Sequence, residues 1–166
     1  MQFILVTLRL IHIVAGAFWV GSALMIVLVI LPGVRKAGPG GERVLPMAQM
    51  SQAMALGAVL TTLAGVLLYV LIFRGASSWI ASRFGLSLTL GALAGLGAFL
   101  LGLLSTGPTS RKMAALGGQI QAAGGPPTPA QLAEMGRLQA HLTRSTTWST
   151  ILATAALALM AVARYL

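Results

Sequence analysis

The sequence predicts an all-α fold: a polytopic membrane protein built as a four-helix transmembrane bundle, with a cytoplasmic helical extension between the third and fourth helices. Three observations carry that expectation. Hydrophobic residues make up 57% of the 166 and charged residues only 8%, with a mean hydropathy of +0.91, which is more apolar surface than a soluble domain of this size needs to fill its core. Four apolar runs, 3–31, 47–73, 86–106 and 146–165, are each long enough to cross a hydrocarbon layer of about 30 Å at about 1.5 Å per residue. The intervening chain is short and rich in Gly and Pro, so a single transmembrane domain is expected over 1–166.

The first run, 3–31, has no basic stretch ahead of its apolar core and is roughly twice the length of a secretory signal core, so it is read as a retained helix. Pro32-Gly33 is expected to stop it, followed by Arg35-Lys36 and a Gly38-Pro39-Gly40-Gly41 turn. Pro46 is placed to open the second helix, 47–73, where a missing N–H costs nothing. Along that helix Gly57, Thr61, Gly65 and Tyr69 recur every four residues, a small-residue stripe on which a neighbouring backbone can approach closely. The loop from Arg74 to Gly85 sets Trp79 and Phe84 beside two arginines, as in a short amphipathic segment lying at the headgroups.

The third helix, 86–106, carries Gly91, Gly95, Gly97 and Gly102 and no charge or imidazole, so it reads as a packing helix. Its Gly91/Gly95 pair suits contact within the bundle or association of two copies as a homo-oligomer. Beyond Thr106 the chain turns polar but stays helix-permissive to 122, where Gly124-Gly125-Pro126-Pro127 breaks it. Thr128-Pro129 with Gln131 forms a capping-box signal for the fourth helix, 129–165, and Leu132, Met135, Leu138 and Leu142 continue one apolar stripe into it.

There is no cysteine, which excludes disulfides, thiolate metal sites and Fe–S clusters. The net charge of +9 is scattered through the loops rather than gathered in an aromatic-flanked patch, so nucleic acid is not the expected partner and the lipid bilayer is. Arg35, Lys36, Arg43, Arg111, Lys112, Arg137 and Arg144 lie on one side, against Arg74, Arg83 and Arg164 on the other. Seven against three places the larger loops in the cytoplasm and both termini outside, in a cell inner (plasma) membrane.

The stretch richest in chemistry is 9–21. Arg9, His12, Gly16, Trp19 and Ala23 follow one another down one helical face, so an imidazole and a guanidinium can turn into the bundle together. Imidazole is a common ligand of haem iron, and an arginine one turn nearer the outer surface can pair with a propionate. The plain reading is that His12 donates to a facing backbone group or threonine while Arg9 snorkels outward. His141, the other histidine, lies about 30 Å away along the bundle axis by helical rise, too far to share an iron.

The pattern Leu10-Ile11-His12, a gap of small residues, then Trp19-Val20-Gly21 resembles the first helix of the four-helix membrane proteins grouped with the copper-resistance D domain. It is also similar to that of the HemJ-type protoporphyrinogen oxidases and of a related uncharacterised family. The likeness is sharp over 9–32 and architectural beyond it. It implies that the first-helix histidine binds haem or metal, a role falling on His12. The intramembrane lysine of HemJ-type proteins has no counterpart here, since Lys36 and Lys112 lie in loops.

The expected function is therefore that of a haem b-binding membrane protein, with redox or small-ligand chemistry (a gas or oxidant) in the outer half of the bundle and a redox partner the sequence does not name. His12 is the expected iron ligand, and Arg9, Gly16, Trp19 and Tyr69 border the cofactor, with Arg74 and Arg164 at similar depth. One alternative is copper binding or transport, through Met47, Met50 and Met54, which share a face, with His141 at a similar depth; gap-filling is the plain reading of these methionines. The other is a structural membrane subunit without cofactor. No carboxylate lies in any span, which argues against a carboxylate proton relay. Arg144 and Trp148, in the polar entry to the fourth helix, read as an interface anchor.

Overall fold

The computed structural model describes residues 2–37, 47–73 and 77–166, and among these every regular element is a helix. In chain order they are α1 (Gln2–Met25), a π-helical turn (Ile26–Ile30), α2 (Leu31–Ala37), α3 (Met47–Phe73), the short α4 (Ser77–Ala81), α5 (Arg83–Leu101), a second π-helical turn (Gly102–Thr106), α6 (Gly107–Ala122) and α7 (Pro129–Ala163). Four continuous helical stretches are long and apolar enough to cross a membrane: Gln2–Gly33, Gln49–Phe73, Arg83–Ala122 and Pro129–Ala163. Large apolar side chains that a soluble protein would bury point outward on all of them, including Leu10, Leu56, Leu93 and Leu157. The chain is a multi-pass membrane bundle.

Several boundaries differ from expectation for local reasons. Helix runs through Pro32 to Ala37 rather than stopping at Leu31. A π turn immediately upstream, in which the Leu31 N–H reaches back to the Ile26 carbonyl, shifts the hydrogen-bond ladder just before the proline that would interrupt it. The third span starts at Arg83 rather than at 86 because Ser82 caps it, its Oγ accepting from the Gly85 N–H at 3.0 Å. The fourth helix ends at Ala163. At its start the Thr128 Oγ accepts from the Gln131 N–H and the Gln131 side chain accepts from the Thr128 N–H, the reciprocal cap that the spacing predicts. Gly124 turns the chain between α6 and α7 with φ +64°, a left-handed conformation that glycine adopts without strain. Pro46 and Arg74 lie outside the described residues.

The bundle is two antiparallel hairpins joined side by side: α1 packs chiefly on α3, and α5 on α7. Small residues set the first seam. A Cβ on Gly57 would lie 3.0 Å from Phe18 and one on Gly16 would lie 3.4 Å from Thr61, so the Gly57/Thr61/Gly65 stripe is the surface that receives α1. The second seam is laced by side chains that bond the facing backbone. Ser87 Oγ donates to the Leu159 carbonyl at 2.8 Å and Ser149 Oγ to the Ala98 carbonyl at 3.0 Å. Gly91 and Gly95 face α7, at Ala156 and Met160. Of the two occupants the glycine pair allowed, a helix of the bundle or a second copy, α7 of the same chain fills this face. Both seams run antiparallel, which brings the two termini to one end of the bundle. All four long helices meet where Trp19 and Val20 sit against Ala58, Ala98 and Ala153.

Candidate functional site

His12 lies in the α1/α3 seam, three turns from the start of α1. Its Nδ1 is 2.8 Å from the Thr61 carbonyl oxygen. A carbonyl can only accept, so Nδ1 carries the proton and Nε2 presents its lone pair. The ring can reach that carbonyl because Gly65, one turn along α3, has no side chain. A Cβ there would stand 2.7 Å from His12 Cε1 and 2.9 Å from Nδ1. Among the described residues Nε2 has no hydrogen-bond partner. Among the described residues the fully buried polar side-chain atoms without one are Thr61 Oγ1 and Thr154 Oγ1, so Nε2 of the half-buried His12 is not sealed off completely. The sequence predicts a partner of this type, a facing backbone group, but not which one: a helix carbonyl already engaged in its own ladder is invisible in a residue pattern.

The other expected site residues scatter around His12 rather than converging on it. Gly16 packs on Thr61 one turn further in. Trp19 is buried in the four-helix core, 8% exposed, and is packing rather than pocket wall. Arg9 is exposed and lies off the buried face, as a guanidinium does when the alternative is an uncompensated charge in a low-dielectric interior.

Tyr69 is committed elsewhere. Its hydroxyl is 2.8 Å from Thr89 Oγ1, and because the Thr89 hydroxyl donates to the Gly85 carbonyl at 2.7 Å, Tyr69 must be the donor. Its ring joins Phe73, Trp79 and, through Trp79, Phe84 in an aromatic cluster at the end that carries the termini. Arg164 lies over the Tyr165 ring, 5.1 Å from its centroid. What survives as a possible ligating set is His12 Nε2, with Arg9 one turn away.

At the opposite end, His141 Nε2 is 3.0 Å from Ser105 Oγ, across the α5/α7 seam, far along the bundle from His12. Met54 packs against the core cluster and Met50 is half-buried; the side chain of Met47 lies outside the described set. Among the described residues no group of three His, Cys, Asp or Glu gathers as a metal site.

Fold and surface together define a multi-pass α-helical membrane protein, with one imidazole inside a span whose Nε2 has no partner among the described residues. The chain matches no family model, no curated protein and no solved structure.

Proposed function

We propose that this bundle binds haem b, with His12 as the protein ligand to iron, in the half of the membrane nearer the termini. One observation carries the reading: Nδ1–H of His12 is spent on the Thr61 carbonyl while Nε2 has no partner among the described residues and is not sealed off completely. Ligating histidines are held in this way, with the tautomer and ring orientation fixed through the nitrogen that does not bind the metal. The likeness of residues 9–32 to the copper-resistance D and HemJ-type first helices supports the same assignment. So does economy of ligands, because a haem iron needs only one imidazole from the protein where a bare ion needs several.

The chain's own contributions are specific. The Thr61 carbonyl orients the imidazole, Gly65 makes room for the ring, and Arg9 is free to meet a propionate. Tyr69, already donating to Thr89, is not available for that contact. When bound, the group supplies one-electron transfer or the binding of a small gas or oxidant. The basic-loop asymmetry supports an orientation with both termini outside.

Absorption spectroscopy tests the proposal. Purified, haem-supplied protein is expected to show a Soret band that shifts on reduction, and His12→Asn is expected to abolish it. The asparagine amide still offers an N–H to Thr61 but no ligand. An unchanged spectrum in His12→Asn would remove His12 as the ligand, and a protein that takes up no haem would end the proposal. The His12–Thr61 bond favours a second reading, an interhelical latch in a structural subunit without cofactor. That reading predicts a stability loss in His12→Leu, little loss in His12→Asn, and no Soret band in any form.

A further inference from the structure

We infer that the cleft between α5 and α7 at the end opposite the termini is a binding site for an anionic phospholipid, with Arg144 as the phosphate partner. An open cleft of about 260 Å³ is lined by the apolar Leu101, Trp148 and Leu152 and by polar groups that include Ser105, His141 and Arg144. A second hollow of about 430 Å³ also borders Arg144, so this residue lines both. Positions 141, 144, 145, 148 and 152 fall on one face of α7. Opposite them the π turn Gly102–Thr106 interrupts the regular ladder of α5, a feature that recurs at functional sites. Thr106 donates to Ser145 Oγ at 3.1 Å, and Ser145 in turn donates to the Leu142 carbonyl. These bonds consume the inner hydroxyls and leave Arg144 and the exposed His141 edge facing outward.

Depth and charge choose the occupant. α7 has 35 residues, about 52 Å of helix, so it overruns a hydrocarbon layer of about 30 Å. The outward apolar surface of the third span ends at Leu103 and Leu104, in the π turn after α5, and, apart from Leu132 near its start, that of α7 begins at Trp148. The cleft straddles this border, with oily walls toward the membrane and donors beyond it. Among the described residues the one side-chain carboxylate, Glu134, is held by Arg137 at 2.7 Å, and Arg111, Lys112 and Arg144 make no ion pair. A phosphodiester with acyl chains satisfies both halves of the cleft. A soluble phosphate would leave the apolar walls uncovered.

Trp148, 54% exposed, reports on this site. In nanodiscs of phosphatidylcholine and phosphatidylglycerol, with Trp148→Phe used to subtract the other tryptophans, brominated phosphatidylglycerol is expected to quench Trp148 about five-fold more effectively per lipid than brominated phosphatidylcholine, the preference one cation supplies near a membrane surface. Arg144→Gln is expected to bring the ratio to about one, Arg144→Lys to keep most of it, and Arg83→Gln at the other end to leave it unchanged. Equal quenching by the two lipids in the wild type, or an undiminished ratio in Arg144→Gln, overturns the inference. Displacement of the brominated phosphatidylglycerol by millimolar inorganic phosphate also overturns it and assigns the cleft to a free anion. If Arg144→Gln does not fold, native mass spectrometry of the wild type from the same mixture decides: retained phosphatidylglycerol in excess of its bilayer share supports the site, and retention in proportion refutes it.

Discussion

Replacing Gly65 with alanine tests the α1/α3 seam and the placement of His12 at once. The new methyl would lie 2.7 Å from His12 Cε1 and 2.9 Å from Nδ1, whereas carbon atoms in contact prefer about 3.5 Å or more. Relief requires about 0.8 Å of movement by the ring or by the whole of α1. A shift of that size stretches the 2.8 Å bond to Thr61 to as much as about 3.6 Å, where hydrogen bonding has vanished. Overpacking costs about 1–3 kcal/mol, and the lost interhelical bond adds about 0.6–1.7 kcal/mol. Better helix propensity returns up to about 1 kcal/mol. The net expectation is destabilisation by about 1–4 kcal/mol, read as a lowered midpoint in detergent unfolding followed by circular dichroism. Gly21→Ala, on the facing helix α1, is the control, since a Cβ there meets nothing within 4 Å, and it is expected to be neutral or slightly stabilising. If Gly65→Ala unfolds together with Gly21→Ala and the wild type, α1 and α3 do not approach at this point and the account of His12 is wrong. If haem is bound, Gly65→Ala is also expected to weaken its retention, because Nε2 moves with the ring.

Other expectations follow from the same contacts. Thr61→Val removes a buried hydroxyl that has no partner, so stability is expected to hold or to rise by up to about 1 kcal/mol in the same unfolding assay; a loss above that would show that Thr61 Oγ1 is engaged. Trp19→Ala empties the point where the four helices meet and is expected to cost about 3–5 kcal/mol, with loss of a cooperative transition as the visible result. Tyr69→Phe deletes a donor to Thr89 that also bonds Gly85 and is expected to cost about 0.5–1.5 kcal/mol while leaving any Soret band unmoved; a shifted band would return Tyr69 to the cofactor's surroundings. Gly85→Ala drives a methyl into the Trp79 carbonyl and is expected to disturb the α4/α5 corner, seen as altered tryptophan emission.

The sequence by itself determined the class of protein and most of its elements. Apolar runs of this length can do little but span a membrane, because hydrogen-bonding all their backbone groups internally requires a helix. The Thr128/Gln131 cap and the Gly124 turn are local, and local rules predict them. The recurrence of Gly57, Thr61 and Gly65 marked a seam. It did not say which helix would occupy it, and for Gly91 and Gly95 it left open whether the partner was another helix of the bundle or a second copy.

Tertiary structure decided the roles of the polar residues. Helical spacing put Arg9, His12, Gly16 and Trp19 on one face, yet packing sent Trp19 into the core, Gly16 onto Thr61 and Arg9 outward, and it spent Tyr69 on Thr89. Helical periodicity fixes only an angle around an axis; what lies at that angle depends on the neighbouring helix. That is why the carbonyl which fixes the His12 tautomer, and the serine that faces His141, became visible only once the two seams were in register.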